Sequence, residues 1–290
     1  MRRPGIAVCC AILALAASIT IRAKVSQDVR ASEGPSRSCA KSVLLNFVVD
    51  RSSEPARKVP IWQLPDKPAF FFSSGMTIDA DGAPNAYNPD NTGLDDLANA
   101  GTPGHWDGIV QGQNGDLALQ GAEDPYPGYY VSCTSLVDRT KSRLDPRRYV
   151  DASRIPYVVL PGDVARQTRA RLGDFALVVN LRDHTWSFAI FADVGTLGEG
   201  SVALADNLGI WSDARRGGRR GGLLYLVFPG SGNGQPRSVE EIDSETAKLL
   251  EDWGGIEQLT TCATSQEPAS AAKASDTQLH PAPDVSPTTN

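Results

Sequence analysis

The chain has 290 residues, 41% hydrophobic, 21% charged and 7% aromatic, a globular composition that excludes wholesale disorder and a fibrous repeat. Its one long apolar run lies at the extreme N-terminus, which excludes a polytopic membrane protein. With 28 bases against 34 acids the net charge is −6, and such acidity favours a cationic partner over nucleic acid or anionic lipid.

Residues 1–23 read as an export signal. Arg2 and Arg3 supply the positive start, Ile6 to Ile19 the apolar stretch, and Ala14, Ala16 and Ala23 the small residues that offer cleavage sites. Cleavage would remove Arg2, Arg3 and Arg22 and no acid, leaving a mature chain about nine charges negative. The expectation is a secreted protein, extracellular or periplasmic, free of the membrane once the signal is gone.

Residues 24–38 are expected to be a loose arm, residues 39–263 a single domain, and residues 264–290 a disordered tail rich in Ala, Ser and Pro. With 27 Gly and 20 Pro between short apolar runs, the central region leans toward a turn-rich β architecture. Six strands are predicted: SVLLNFVV, GYYVSCTSL, IPYVVLP, DFALVVN, WSFAIFADV and LLYLVFPG. The polar connection from Leu181 to Thr185 predicts a hairpin between the fourth and fifth. Two helices are predicted: one capped by Ser201 over VALADNLG, and one opened by a Ser238–Glu241 capping box and stopped at Gly254 and Gly255. The expected fold is mainly β, a closed six-stranded barrel with a few peripheral helices, the double-psi topology being one candidate form.

Of the five cysteines, Cys9 and Cys10 would leave with the signal. Cys39 opens the folded region and Cys262 closes it, so an oxidising compartment makes them the natural disulfide pair. Cys133, in YYVSCTSL, is expected to behave as a small buried side chain.

The standard catalytic inventories are thin. Only three histidines occur, His105, His184 and His280, and no G-x-S-x-G elbow accompanies them. The glycines of PGSGNG do not form a nucleotide fingerprint. DADG at Asp79 to Gly82 departs from calcium-loop spacing and reads as a turn, so no metal and no cofactor is assigned. Arg215, Arg216, Arg219 and Arg220 read as a solvated flexible loop.

Carboxylates are the remaining reagents. In WSFAIFADVGTLGEGS, Asp193 projects from the end of a hydrophobic strand, where burial would raise its pKa. Glu199 stands just before the Ser201 cap, where a helix dipole would favour its ionised form. Two carboxylates in different environments suit acid and base roles in glycoside hydrolysis.

ADVGTLGEGSVALADNLGI and LLYLVFPGSG, with GMTIDADGAPNAYNPDNTGLDDLANAG, PGYYVSCTSL, YVDASRIPYVVLP and GDFALVVN, resemble glycoside hydrolase family 75, the endo-acting chitosanases. The likeness runs in order from Phe70 to Gly232. It implies cleavage of β-1,4 glucosamine linkages in chitosan with inversion. It also implies that Glu199 donates the proton and Asp193 activates water, the reverse of what the helix-start reasoning favours for Glu199. Asp79, Asp81 and Asp116 are candidates to pair with glucosamine ammonium groups, and Tyr87, Trp106 and Tyr129 to stack on sugar faces. The expected assembly is a monomer. Two alternatives stay open: a hydrolase of another wall polysaccharide such as peptidoglycan on the same fold, and a non-catalytic carbohydrate-binding protein.

Overall fold

The computed structural model describes residues 39–50, 52 and 56–265. The expected signal segment, the arm through residue 38 and the tail from residue 266 lie outside the described residues. Ten strands are described: β1 (Ser42–Asp50), β2 (Arg57–Gln63), β3 (Phe70–Asp79), β4 (Gly101–Thr102), β5 (His105–Trp106), β6 (Tyr157–Leu160), β7 (Phe175–Asn180), β8 (Thr185–Val194), β9 (Glu199–Ser201) and β10 (Arg219–Val227). The helices are α1 (Gly162–Thr168), α2 (Val202–Asn207), α3 (Val239–Trp253) and α4 (Gly255–Thr264). None of them is long and apolar enough to cross a membrane.

Six strands close a barrel in the order β3, β10, β7, β8, β6, β9 and back to β3. The β6–β8 and β3–β9 pairs are parallel and the other barrel pairs antiparallel. The mainly β, six-stranded expectation holds, with a different membership. GYYVSCTSL is not a strand: Tyr130 and Ser132 make only isolated bridges to Leu119 and Ile109. SVLLNFVV is β1, but it forms a hairpin with β2 that joins the barrel only where Trp62 and Gln63 meet Phe71 and Phe70. The barrel instead uses β3 and the three-residue β9.

Alternation sorts the wall into two faces. Phe70, Phe72, Met76, Ile78, Val158, Val178, Phe191 and Tyr225 share one buried cluster, whereas Ser73 and Thr77 between them on β3 are exposed. The first set therefore fills the interior. There, the ladder partners Phe72 and Tyr225 stack at 4.7 Å, and α2 and the residue that caps its end contribute Leu204 and Leu208 to the same cluster. On the outer face, Tyr157, Val159, Leu177, Phe188, Ile190 and Leu226 pack under α3, α4 and the long segment between β3 and β6.

Both predicted helices form as read. Ser201 Oγ accepts from Leu204 N at 3.1 Å, and Ser238 and Glu241 complete the capping box before α3. Helix α4 carries Cys262, bonded to Cys39 as expected. The PGSGNG loop is tied to the start of β7, since Gly230 N and Gly232 N donate to the buried Asp174 carboxylate at 3.0 and 2.9 Å.

The arginine run is not a free loop. Arg215 is anchored to Asp96 at 2.7 Å and to the carbonyls of Asn91, Gly93 and Asp95. Arg219 and Arg220 already belong to β10.

Candidate active site

The site is built on the outer face of β8, β6, β9 and β3. Along β8, Phe188, Ile190 and Ala192 face outward while Ala189 and Phe191 fill the interior. Unbroken alternation would send Asp193 inward beside Phe191. A β-bulge prevents this. Val158 stands opposite Phe191, but Val159 stands opposite Asp193, so one extra residue of β8 fits against β6 and Asp193 takes the outward side of Val159.

Glu199 reaches the same face from β9. A Cβ on Gly200 would lie 2.9 Å from Leu204 Cδ2 and 3.0 Å from Met76 Cε, so that residue points inward and Glu199 outward. A Cβ on Gly195 would lie 2.7 Å from Glu199 Oε2 and 3.0 Å from Val159 Cγ1, which places the Glu199 carboxylate beside Val159 over a gap that glycine keeps open. Asp79 completes the row: it ends β3, two residues beyond Thr77, which is the ladder partner of Glu199.

The hydrogen bonds differentiate these carboxylates. Asp193, 9% exposed, accepts at Oδ1 from Ser135 N at 3.0 Å, Ser135 Oγ at 2.5 Å and Val194 N at 2.7 Å. Burial still pushes its pKa above the ordinary carboxylate value, against these donors. Glu199 accepts from Thr196 N at 2.7 Å, and burial raises its pKa too, with the Asp193 charge adding to the effect.

The expectation that a helix dipole keeps Glu199 ionised is corrected here. Its carboxylate turns back to the Thr196 amide, while Ser201 caps α2 with its own hydroxyl. Asp79 accepts from Asp81 N at 2.8 Å. Burial first, then the Asp193 charge, push it up to about 7.

Asp81 is tied into the wall by its neighbours. Tyr87 Oη donates to its Oδ1 at 2.7 Å, and its carboxylate fills the space where a Cβ on Gly108 would sit, 2.7 Å away. Burial and the neighbouring Asp79 and Asp193 hold its pKa well above the usual range. Tyr87 is 2% exposed and also reaches Asp95 at 3.4 Å, so it offers no ring face to a sugar. That correction follows from burial: its role is to fix Asp81.

Trp106 is half-buried against the outer core. Tyr129 is half-buried and packs edge-to-face on Tyr126 at 5.5 Å. Asp116 is exposed in the turn between Gln111 and Leu117. No hydrogen bond, ion pair or ring contact among the described residues joins these last three to the carboxylate row.

Three neighbours escaped the sequence reading. Ser135 comes from the covering segment and supplies two of the three donors to Asp193. Tyr157, on β6, donates to Asp81 O at 3.0 Å and stands close enough to Asp79 to favour its charged form. A tyrosine in an otherwise aliphatic strand was the only signal, since a buried hydroxyl needs a partner. Cys133 is half-buried and unbridged. Its Sγ donates to Asp107 O at 3.2 Å, and burial plus the Asp81 and Asp193 charges push the thiol up to about 12. It is a thiol at the margin of the site rather than a strand residue.

Four acidic groups that cannot all ionise cheaply, held on one rigid wall, can store and pass a proton. Compared with known proteins, the chain matches no family model and no curated sequence.

Proposed function

We propose that this chain is an exported, endo-acting glycoside hydrolase that cleaves β-1,4 glucosamine linkages in chitosan with inversion, using Asp193 and Glu199. The observation that carries the reading is the bulge in β8, which turns Asp193 out of the barrel interior onto the wall that bears Glu199. One strand, β6, separates β8 from β9, and two interstrand steps place their backbones about 10 Å apart. That spacing suits the 6.5–9.5 Å carboxyl separation of inverting enzymes better than the 5–5.5 Å of retaining ones.

The donor pattern supports the role split. A base must be ionised, and Asp193 holds three donors that favour its charged form. An acid must keep its proton, and Glu199 holds fewer donors, the amide and hydroxyl of Thr196, beside a neighbouring carboxylate. The Asp193 charge then favours the protonated form of Glu199. Water activated by Asp193 attacks the anomeric carbon, while Glu199 protonates the leaving glycosidic oxygen. The acidic row and the net charge of −6 favour a substrate carrying ammonium groups at this centre. The Cys39–Cys262 bridge is compatible with export.

A second reading, hydrolysis of an anionic wall polysaccharide such as peptidoglycan, is favoured by the arginine-lined groove beside Glu199. Reducing-end release from chitosan, chitin and peptidoglycan separates the two. Release from chitosan alone supports the first and release from peptidoglycan alone the second. Release from none would make the chain a non-catalytic binder.

A further inference from the structure

We propose that the groove on the Glu199 side of the carboxylate row is a subsite for anionic groups carried by a polysaccharide, carboxylates on or attached to its sugar rings. The proposal rests on the reading that Asp193 and Glu199 form a polysaccharide-cleaving centre, and it names the chemistry of the substrate on one side of that centre.

Position comes first. A cavity of about 940 Å³ is bounded by Thr196, Leu197 and Gly198, the turn that leads directly into Glu199, and by Thr77, the ladder partner of Glu199. Its volume is at the upper end of the range for small-ligand sites, room for several sugar units. A polymer crossing the Glu199 carboxylate would run into this groove.

Charge comes second. Arg57 and Lys58 from β2, and Arg216, Arg219 and Arg220 from the approach to β10 and its start, line the groove, and none of the other described lining residues is charged. In a chain with more acids than bases, five bases lining one concavity reverse the global balance. A groove of one sign focuses the field and concentrates ligands of the other. Two guanidinium groups are held in place. Arg219 Nε donates to Gly221 O at 2.9 Å and Nη1 meets Asp183 at 3.2 Å. Arg216 pairs with Asp213 at 3.2 Å and lies 5.9 Å from the Trp211 ring centre. Arg220 and Lys58 are exposed.

The floor is suited to sugar. Ser73, Ser74, Thr77 and Thr196 present hydroxyls. Gly75 and Gly198 have no space for a Cβ, which would fall 2.3 Å from Arg219 O and 2.5 Å from Ser74 Oγ. Both line the groove with backbone alone. Hydroxyls hydrogen-bond ring oxygens and alcohols, and guanidinium forks engage carboxylates in two parallel bonds.

A run of protonated glucosamines would be repelled here, whereas it would be attracted by the ionised Asp193. A chain that fits both halves carries amines or neutral residues over the carboxylate row and acid groups on the arginine side.

The test uses the full chain with Asp193→Asn, so that bound polymer is not consumed, and measures equilibrium binding to carboxymethyl chitin, neutral glycol chitin and chitosan. The expected result at about 50 mM salt is at least tenfold tighter binding of carboxymethyl chitin than glycol chitin, with the gap closing near 500 mM as exposed charges are screened. Adding Arg216→Ala with Arg220→Ala should cut the preference below about threefold. Lys58→Glu, on a different strand, should do the same, which guards against a local folding defect near β10. Equal affinity for the two polymers, or a preference untouched by both variants, overturns the proposal. Reducing-end assays on the chain with Asp193 intact keep the two readings apart. Arg-dependent binding without cleavage of any polymer leaves the groove standing and removes the hydrolase, whereas cleavage of chitosan without any carboxymethyl preference does the opposite.

Discussion

Replacing Asp79 by Asn should make the protein more stable at pH 8 and leave it almost unchanged at pH 4. Asp79 is pushed from an ordinary value of 3.8 up to about 7 by burial and by the Asp193 charge. Its folded-state pKa is therefore above its unfolded one. Between about pH 4 and pH 7 the folded state holds a proton that the unfolded chain releases, so stability falls as pH rises through that window and the loss is complete above 7. At roughly 1.36 kcal/mol for each pK step the ceiling is about 4 kcal/mol. Asp79 is only half-buried by its own surface, and solvent screening lowers the expectation to about 1–2 kcal/mol. Asparagine mimics the protonated carboxyl in shape and lacks the charge, so it keeps the acid-side stability at every pH. For a folded region of this size that corresponds to a melting temperature higher by about 2–6 °C at pH 8. Thermal melts of the two proteins at pH 4 and pH 8 measure it. A variant that melts lower than wild type at pH 8, or one that differs equally at both pH values, would refute the account of Asp79 as a neutral, proton-holding member of the row.

Asp193→Asn and Glu199→Gln should each lower chitosan hydrolysis at least about 100-fold while keeping the melting temperature within a few degrees, as measured by reducing-end release. Ser135→Ala removes one of the donors that favour ionised Asp193, so the acidic limb of the kcat/KM profile should move to higher pH. Gly195→Ala places a methyl 2.7 Å from Glu199 Oε2 and should lower kcat about tenfold or more, with little change in KM. Replacing Cys39 and Cys262 by Ser opens a link that spans 223 residues and should cost about 2–5 kcal/mol in a denaturant melt.

Four barrel strands, β6, β7, β8 and β10, were legible in the sequence because each is a short apolar or β-branched run closed by Gly, Pro, Asn or Asp. Strand β3 was hidden by its own two-faced wall: Ser73 and Thr77 look outward while Met76 and Ile78 look in, so FFFSSGMTID reads as an apolar start followed by a turn. Strand β9 has three residues, too few for any period, and its Glu-Gly-Ser reads as the prelude to a helix cap. GYYVSCTSL has strand composition without a strand's partner, and composition cannot report whether a neighbour lies alongside. Capping, in contrast, is a local transaction between a hydroxyl and amides three residues on, and both Ser201 and Ser238 were readable for that reason.

The pair Asp193 and Glu199 was legible as chemistry but not as geometry. Period-two reasoning aims Asp193 into the barrel, where an ionisable group would face Phe191 and Val158 with no donor. The bulge that rescues it is a property of the β6–β8 register, set by the fit of two strands joined through α1 and β7 rather than by any residue in WSFAIFADV. Once Asp193 is turned outward, the covering segment can reach it with Ser135. In the proposed mechanism the donors then divide the labour between two carboxylates that share a low-dielectric wall: three on Asp193 lower the cost of its charge, and Glu199, with the Thr196 amide and hydroxyl and the Asp193 charge nearby, is the one to carry a proton. Helix position had suggested the opposite for Glu199. The hydroxyl of Ser201 already satisfies the α2 amide that a carboxylate would have sought, so the dipole has no bearing on the acid.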